Sequence, residues 1–147
     1  MTHIIEQIAD AVVAAVKGAS TNAGTDVSQR RFWPAEKDTA ASGIVFASDE
    51  DVAIDGHGPY YRRDIAITVA LRYVGDADTI EASAYADQVK IETAIEADAT
   101  IAGLTHAIVL HRSNTETDGN GNKPMLIRRT EFIAIARTLA SDPENPA

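Results

Sequence analysis

Four histidines, a run of acids and three pairs of adjacent arginines are the residues of this chain whose types could do chemistry. His3 lies near the start, His57 sits in a Gly56-His-Gly-Pro59 turn, and His106 and His111 are five apart on an expected strand. An odd separation sends those two to opposite faces of a strand, so they do not converge on one ion. The segment Asp118-Gly-Asn-Gly-Asn122 begins like a calcium loop. Lys123 then stands where the sharp-turn glycine belongs and Arg129 where the bidentate glutamate belongs, which makes the segment a hairpin turn. Gly56 to Pro59 lacks the Lys-Ser/Thr ending of a phosphate loop. Asp49, Glu50, Asp51 and Asp55 could hold a cation or exchange protons. General acids need burial, and consecutive acids in a polar loop are solvated. No serine has the nucleophile-elbow context, and the absence of cysteine removes thiolate nucleophiles and Cys-ligated zinc. No catalytic residue, cofactor or metal site is therefore expected. A small-ligand or metal-binding domain using His57 and the acidic run is the alternative of another class.

The arginines point elsewhere. Arg30-Arg31, Arg62-Arg63 and Arg128-Arg129 all lie at or near expected strands of a chain whose formal charge is −9. Neighbours on a strand face opposite ways, so each pair presents one cation to each face of a sheet. Identical subunits this acidic repel one another unless complementary patches orient the contact. Arg30, Arg31, Arg62, Arg63, Arg128 and Arg129, with Trp33 and the acids Asp49, Glu50 and Asp51, are the candidate interface residues.

The elements that must carry these residues can be read from periodicity. Ile4, Ile5, Ile8, Val12, Ala15 and Val16 recur at helical spacing, with Thr2 as the expected N-cap and Gly18 as the stop. A short strand, Val27 to Trp33, ends before Pro34. Residues 34–59 show no sustained period and read as a long excursion holding two short strands or one hairpin. From Arg63 to Val74 the isoleucines, Val69, Leu71 and Tyr73 alternate with smaller or polar residues, as in a strand. Asp78 and Glu81 have capping-box spacing and open a second helix, to about Ala97, whose face carries Ile80, Ala84, Ile91 and Ile95. Strands at His106 to Arg112 and Leu126 to Leu139 flank the glycine-rich turn. In the last strand Phe132, Ala134 and Ala136 share one face while Ile133 and Ile135 share the other, so it is central or covered by another subunit. Residues 141–147 are expected to be a mobile tail. The class is α+β: an antiparallel or mixed sheet of about four to six strands with two helices on it. The order is α-β-(β-β)-β-α-β-β, in one domain over residues 1–140.

Composition limits the partners. At 147 residues with 45% hydrophobic content the chain builds one core, and aromatics at 5% do not line a roomy pocket. A strongly acidic surface neither neutralises phosphates nor binds anionic membrane. No apolar run approaches the ~20 residues of a membrane span, and no signal peptide is expected.

One local segment carries a family resemblance. Ile91-Glu-Thr-Ala-Ile-Glu-Ala-Asp-Ala-Thr-Ile-Ala-Gly-Leu104 resembles the helix-Asp-Thr-Leu-x-Gly-Leu junction of the tail terminator (tail completion, minor tail protein U-like) proteins of long-tailed bacteriophages, with Ile101 and Ala102 as mild departures. Asp98 and Thr100 are helix-terminating and turn residues, Ile101 and Leu104 return to the core, and Gly103 permits close approach. The surrounding order is similar too: an amphipathic first helix, an aromatic-proline step at Phe32-Trp33-Pro34, a long loop, Arg-Arg and a strong strand. The resemblance implies a virion protein of the tail and neck, assembled in the host cytoplasm. It would form a ring, expected to be hexameric, on the head-proximal end of the tail tube, ending tube polymerisation and docking the head-side connector. Its partners would be itself, the tube protein and the connector or head-closure protein, with genomic DNA passing through the lumen without sequence-specific binding. A head-closure or other neck protein is the related alternative.

Overall fold

The computed structural model describes residues 2–31, 33, 40–56, 58–118 and 124–147. The chain runs α1 (Ile4–Gly18), β1 (Val27–Gln29), β2 (Ala41–Ile54), β3 (Tyr60–Val74), α2 (Ala77–Ala97), α3 (Ala99–Leu104), β4 (Ala107–Asp118), β5 (Met125–Leu139) and β6 (Asp142–Pro146). The sheet order is β1-β2-β3-β5-β4, with β6 pairing to β5. All pairs are antiparallel except β1 with β2. The expected α+β class therefore holds, with a third, short helix and a mixed six-stranded sheet.

The helices share one face of the sheet. Ile4, Ile8, Val12 and Val16 of α1 are wholly buried, one per helical turn, each contributing about 1.5–3 kcal/mol relative to exposure. They meet the odd residues of β3 from Ile65 to Tyr73 and Phe132, Ala134 and Ala136 of β5 in one core cluster. On the helix-free face a second, smaller cluster joins Ile44, Ala70 and Ile127 with partly buried Trp33, Phe46 and Met125. β3 and β5 pair along their whole length, Tyr60 opposite Leu139 to Val74 opposite Met125, which makes both strands central. That accounts for the apolar residues on both faces of β5.

Several sequence expectations need correction. His3, not Thr2, caps α1: its side chain accepts from the Ile5 N–H at 3.2 Å. β1 ends at Gln29, short of the expected Trp33, and the Arg30 N–H makes its last bond to β2, at Val45 C=O. Residues 41–54 are not two short strands in a loop but one fourteen-residue strand. Its period is broken by a bulge between Ala47 and Asp49, which hid it. Asp76 caps α2 through the Asp78 N–H at 3.2 Å, so the Asp78–Glu81 box is not used. The Asp98–Leu104 junction is not a bare turn: Asp98 caps α3, its side chain accepting from the Ile101 N–H at 2.8 Å. A Cβ on Gly103 would meet nothing, so no close approach requires that glycine. β4 continues to Asp118, beyond the expected Arg112. The expected mobile tail forms β6, with Thr138 opposite Pro146 and Leu139 opposite Asp142. Phe32, Pro34, His57 and most of the 118–122 turn lie outside the described residues.

Candidate assembly interface

The two edges of the sheet are the parts of the fold left without a partner among the described residues. β1 covers β2 only at its start, where Gly43 N–H donates to Asp26 C=O at 2.8 Å and Arg30 N–H to Val45 C=O at 3.0 Å. Further along, the Asp55 N–H donates to Tyr60 C=O at 2.9 Å, and this bond fixes the phase of the ladder. In an antiparallel pair alternate residues bond to the neighbour and the others point away. With Asp55, Ala53, Asp51 and Asp49 bonding to β3, the backbones of Glu50, Val52 and Ile54 point outward. The Glu50 N–H is met by Asp49 Oδ1 at 2.8 Å. Among the described residues nothing covers Val52 and Ile54 in this way, and they are 47% and 73% exposed. An unpaired, apolar strand edge is a template for another chain.

β4 forms the opposite edge. Val109 and Leu110 there are 49% and 46% exposed. Leu110 lies on the helix side, opposite Phe132, and beside it a shallow depression of about 140 Å³ is lined by Glu92, Ile95, Glu96, Ile108, Leu110 and Phe132. A second depression of about 220 Å³ continues it toward α3, past Ile101, Thr105 and Ala107.

The arginine pairs divide between the two faces, as strand alternation requires, but most are taken up within the chain. Arg63 is 8% exposed and donates to Glu50 Oε2 at 2.9 Å and Thr138 Oγ1 at 3.0 Å. Arg128 ties α2 to the sheet, donating to Gln88 Oε1 at 2.6 Å, Thr115 Oγ1 at 2.8 Å and Ser113 Oγ at 2.9 Å. On the helix-free face Arg62 pairs with Asp64 at 2.9 Å and Arg129 with Glu116 at 2.7 Å, both substantially exposed and so weak. Arg31 stands over the Phe46 ring and donates to the Ala47 carbonyl, while Arg72 stands 4.8 Å from the Trp33 ring centre. Arg30 is exposed beyond the end of β1. Glu50 is thus committed to Arg63 of its own chain, and Asp49 and Asp51 remain on the other face of β2. The structure brings together Arg63 with Glu50 and Arg31 with the start of the β2 free edge. It leaves the Arg128-Arg129 pair eight positions along β5 from the level of Arg62 and Arg63.

No chemistry-bearing cluster emerges beside these edges: among the described residues no group of three His, Asp or Glu is placed to hold a metal. A hollow of about 410 Å³ lies between the start of α1 and the end of β1, against His3, Ile5, Gln29, Arg31 and Phe46, and is broadly open to solvent. Among the described residues no helix is long and apolar enough to cross a membrane, which says nothing of strands.

One buried acid escaped the sequence reading. Asp87 is wholly buried on the inner face of α2 and accepts from Tyr73 Oη at 2.7 Å, Asn22 Nδ2 at 3.0 Å and the Asn22 N–H at 3.1 Å. It links α2, β3 and the loop after α1. Burial first, then the hydrogen bond to Asp87 and that group's charge, push the Tyr73 hydroxyl well above the ordinary tyrosine range. The signal was present: Ile80, Ala84, Asp87, Ile91 and Ile95 form one helical stripe, and an acid within it is a buried acid.

No family model and no curated protein matches the chain. Among solved structures it is similar to a chain of the "virion of native gene transfer agent (GTA) particle". The TM-score is 0.40 at 20% identity, over 90% of this chain and 92% of that one.

Proposed function

We propose that the chain is a structural virion subunit that assembles as a ring on the head-proximal end of a phage-type tail tube. There it ends tube polymerisation and presents its far side to the head-side connector. The observation that carries the self-assembly is the pair of free edges on opposite sides of one sheet, β2 beyond Val45 and the whole of β4. Two different surfaces on opposite sides make a head-to-tail contact, and such contacts close into rings when the rotation between copies divides the circle. The tube and connector roles rest on the sequence, on the Ile91–Leu104 segment and the order of elements around it. A formal charge of −9 suits a lumen through which DNA slides without being held.

Light scattering and negative-stain imaging of the purified protein, alone and with tail tubes, test the proposal. Rings, or a cap at one end of each tube, are the expected outcome. A protein that stays monomeric even with tubes present contradicts it. Capture by the connector protein but not by the tube protein would assign the chain to head closure instead.

A further inference from the structure

We infer that the contact between neighbouring copies is an antiparallel strand pairing, in which β2 of one copy (52–54) joins β4 of the next (108–110) to make a continuous intersubunit sheet. The inference rests on the ring proposed above and names the surface that closes it.

Strand direction supports the pairing. β2, β3, β5 and β4 alternate in direction, so β4 runs opposite to β2 within one chain. A copy carried round an axis along the strands keeps its directions, and its β4 therefore meets β2 antiparallel with helices on the same side.

Register supports it further. Setting Val52 opposite Leu110 places Ile54 opposite Ile108 on the helix side, and the Val52 and Ile54 side chains enter the hollow beside Ile95 and Phe132. The same register sets Ala53 against Val109, and it ends at Leu110, where the bulge at His111 breaks the ladder of β4. The exposed apolar residues of the two edges, Val52 and Ile54 with Val109 and Leu110, are covered by one contact. Val52 is level with Arg63, and Leu110, through Phe132, with Ile67, four residues apart on β3. An even step keeps every side chain on its own face, and sheets that close on themselves require a stagger of this kind.

Disulfide trapping tests the pairing cleanly because the chain has no cysteine. Within one chain β2 and β4 are three strand spacings apart, about 14 Å, beyond the reach of a disulfide. Val52→Cys and Leu110→Cys proteins are oxidised singly, as a mixture and as the double variant, each with and without tail tubes. Ile54→Cys with Ile108→Cys serves as a second pair. The expected result is a cross-linked dimer in the mixture and not in either single variant, and a ladder in the double variant ending at the ring number. Rings or tube caps that form without a cross-link from either pair overturn the strand pairing and leave the ring reading standing. Cross-linking of a single variant to itself also overturns it, since it would mean a two-fold contact. Cross-links without any tube binding keep the pairing and remove the tail-tube role. Neither cross-links nor assemblies, with tubes present, overturns both.

Discussion

Replacing Tyr73 by Phe isolates one bond in the middle of the fold. The Tyr73 hydroxyl is buried and donates to Asp87 Oδ2 at 2.7 Å, while the ring itself is a core residue that Phe reproduces. A hydrogen bond to a charged acceptor contributes about 1.5–3 kcal/mol, and Asp87 keeps both Asn22 donors, so the loss at pH 8 should be about 2 kcal/mol. In a chain of this size that lowers the Tm by about 4–8 °C. The pH dependence gives a second handle. The folded-state pKa of Tyr73 is raised, so the unfolded chain releases this proton from about pH 10 while the folded chain keeps it. The stabilisation is therefore complete below about pH 10 and falls above it, at up to about 1.4 kcal/mol per pH unit. The Phe variant lacks that loss, so the gap between the two proteins should narrow from about 2 kcal/mol at pH 8 toward zero near pH 11.5. Urea unfolding of both proteins at pH 8, 10 and 11 measures it. A Phe variant within about 0.5 kcal/mol of the parent at pH 8, or a gap that does not shrink by pH 11, would refute the reasoning.

Other substitutions test the remaining supports. Arg63→Ala leaves Glu50 and Thr138 without their buried donor and should lower stability by about 2 kcal/mol in urea unfolding. Gly43→Ala sets a Cβ 2.6 Å from Leu71 Cδ2 and 3.1 Å from Val27 Cγ2, both in the packed core, and should cost about 1–3 kcal/mol by the same assay. Val52→Asp, on the exposed β2 edge, should leave monomer stability within about 0.5 kcal/mol of the parent while abolishing assembly in light scattering.

The parts of the fold legible in the sequence are those whose burial pattern keeps one period. α1 and β3 announce themselves because the large apolar residues of each recur on one face without interruption, and both faces join one core cluster. α2 was legible in extent, but its stripe is interrupted by an acid, and reading only the apolar members passed over Asp87. β2 was misread because Ser48 sits in a bulge: before it the odd residues Ala41 to Ala47 face the helices, and after it the even residues Glu50, Val52 and Ile54 do. Its acids looked like a solvated loop, yet one of them meets Arg63 and another caps an edge amide. β6, with two prolines in Asp142–Pro146, lacks any strand signature and forms because β5 outruns β4 and leaves an edge at Thr138 and Leu139. The candidate interface was seen as charge, from the arginines and acids. The unpartnered apolar residues at Val52, Ile54 and Leu110 become visible only once the sheet order shows which strands are its edges.

The growth of tail tubes in the presence of this chain tests the central claim most directly. Tube protein is allowed to polymerise with increasing amounts of the chain, and the length distribution and tube ends are recorded by negative stain. The account predicts that mean length falls as the chain is added and that each shortened tube carries a ring at one end. Tubes of unchanged length, with the chain absent from their ends, would contradict it.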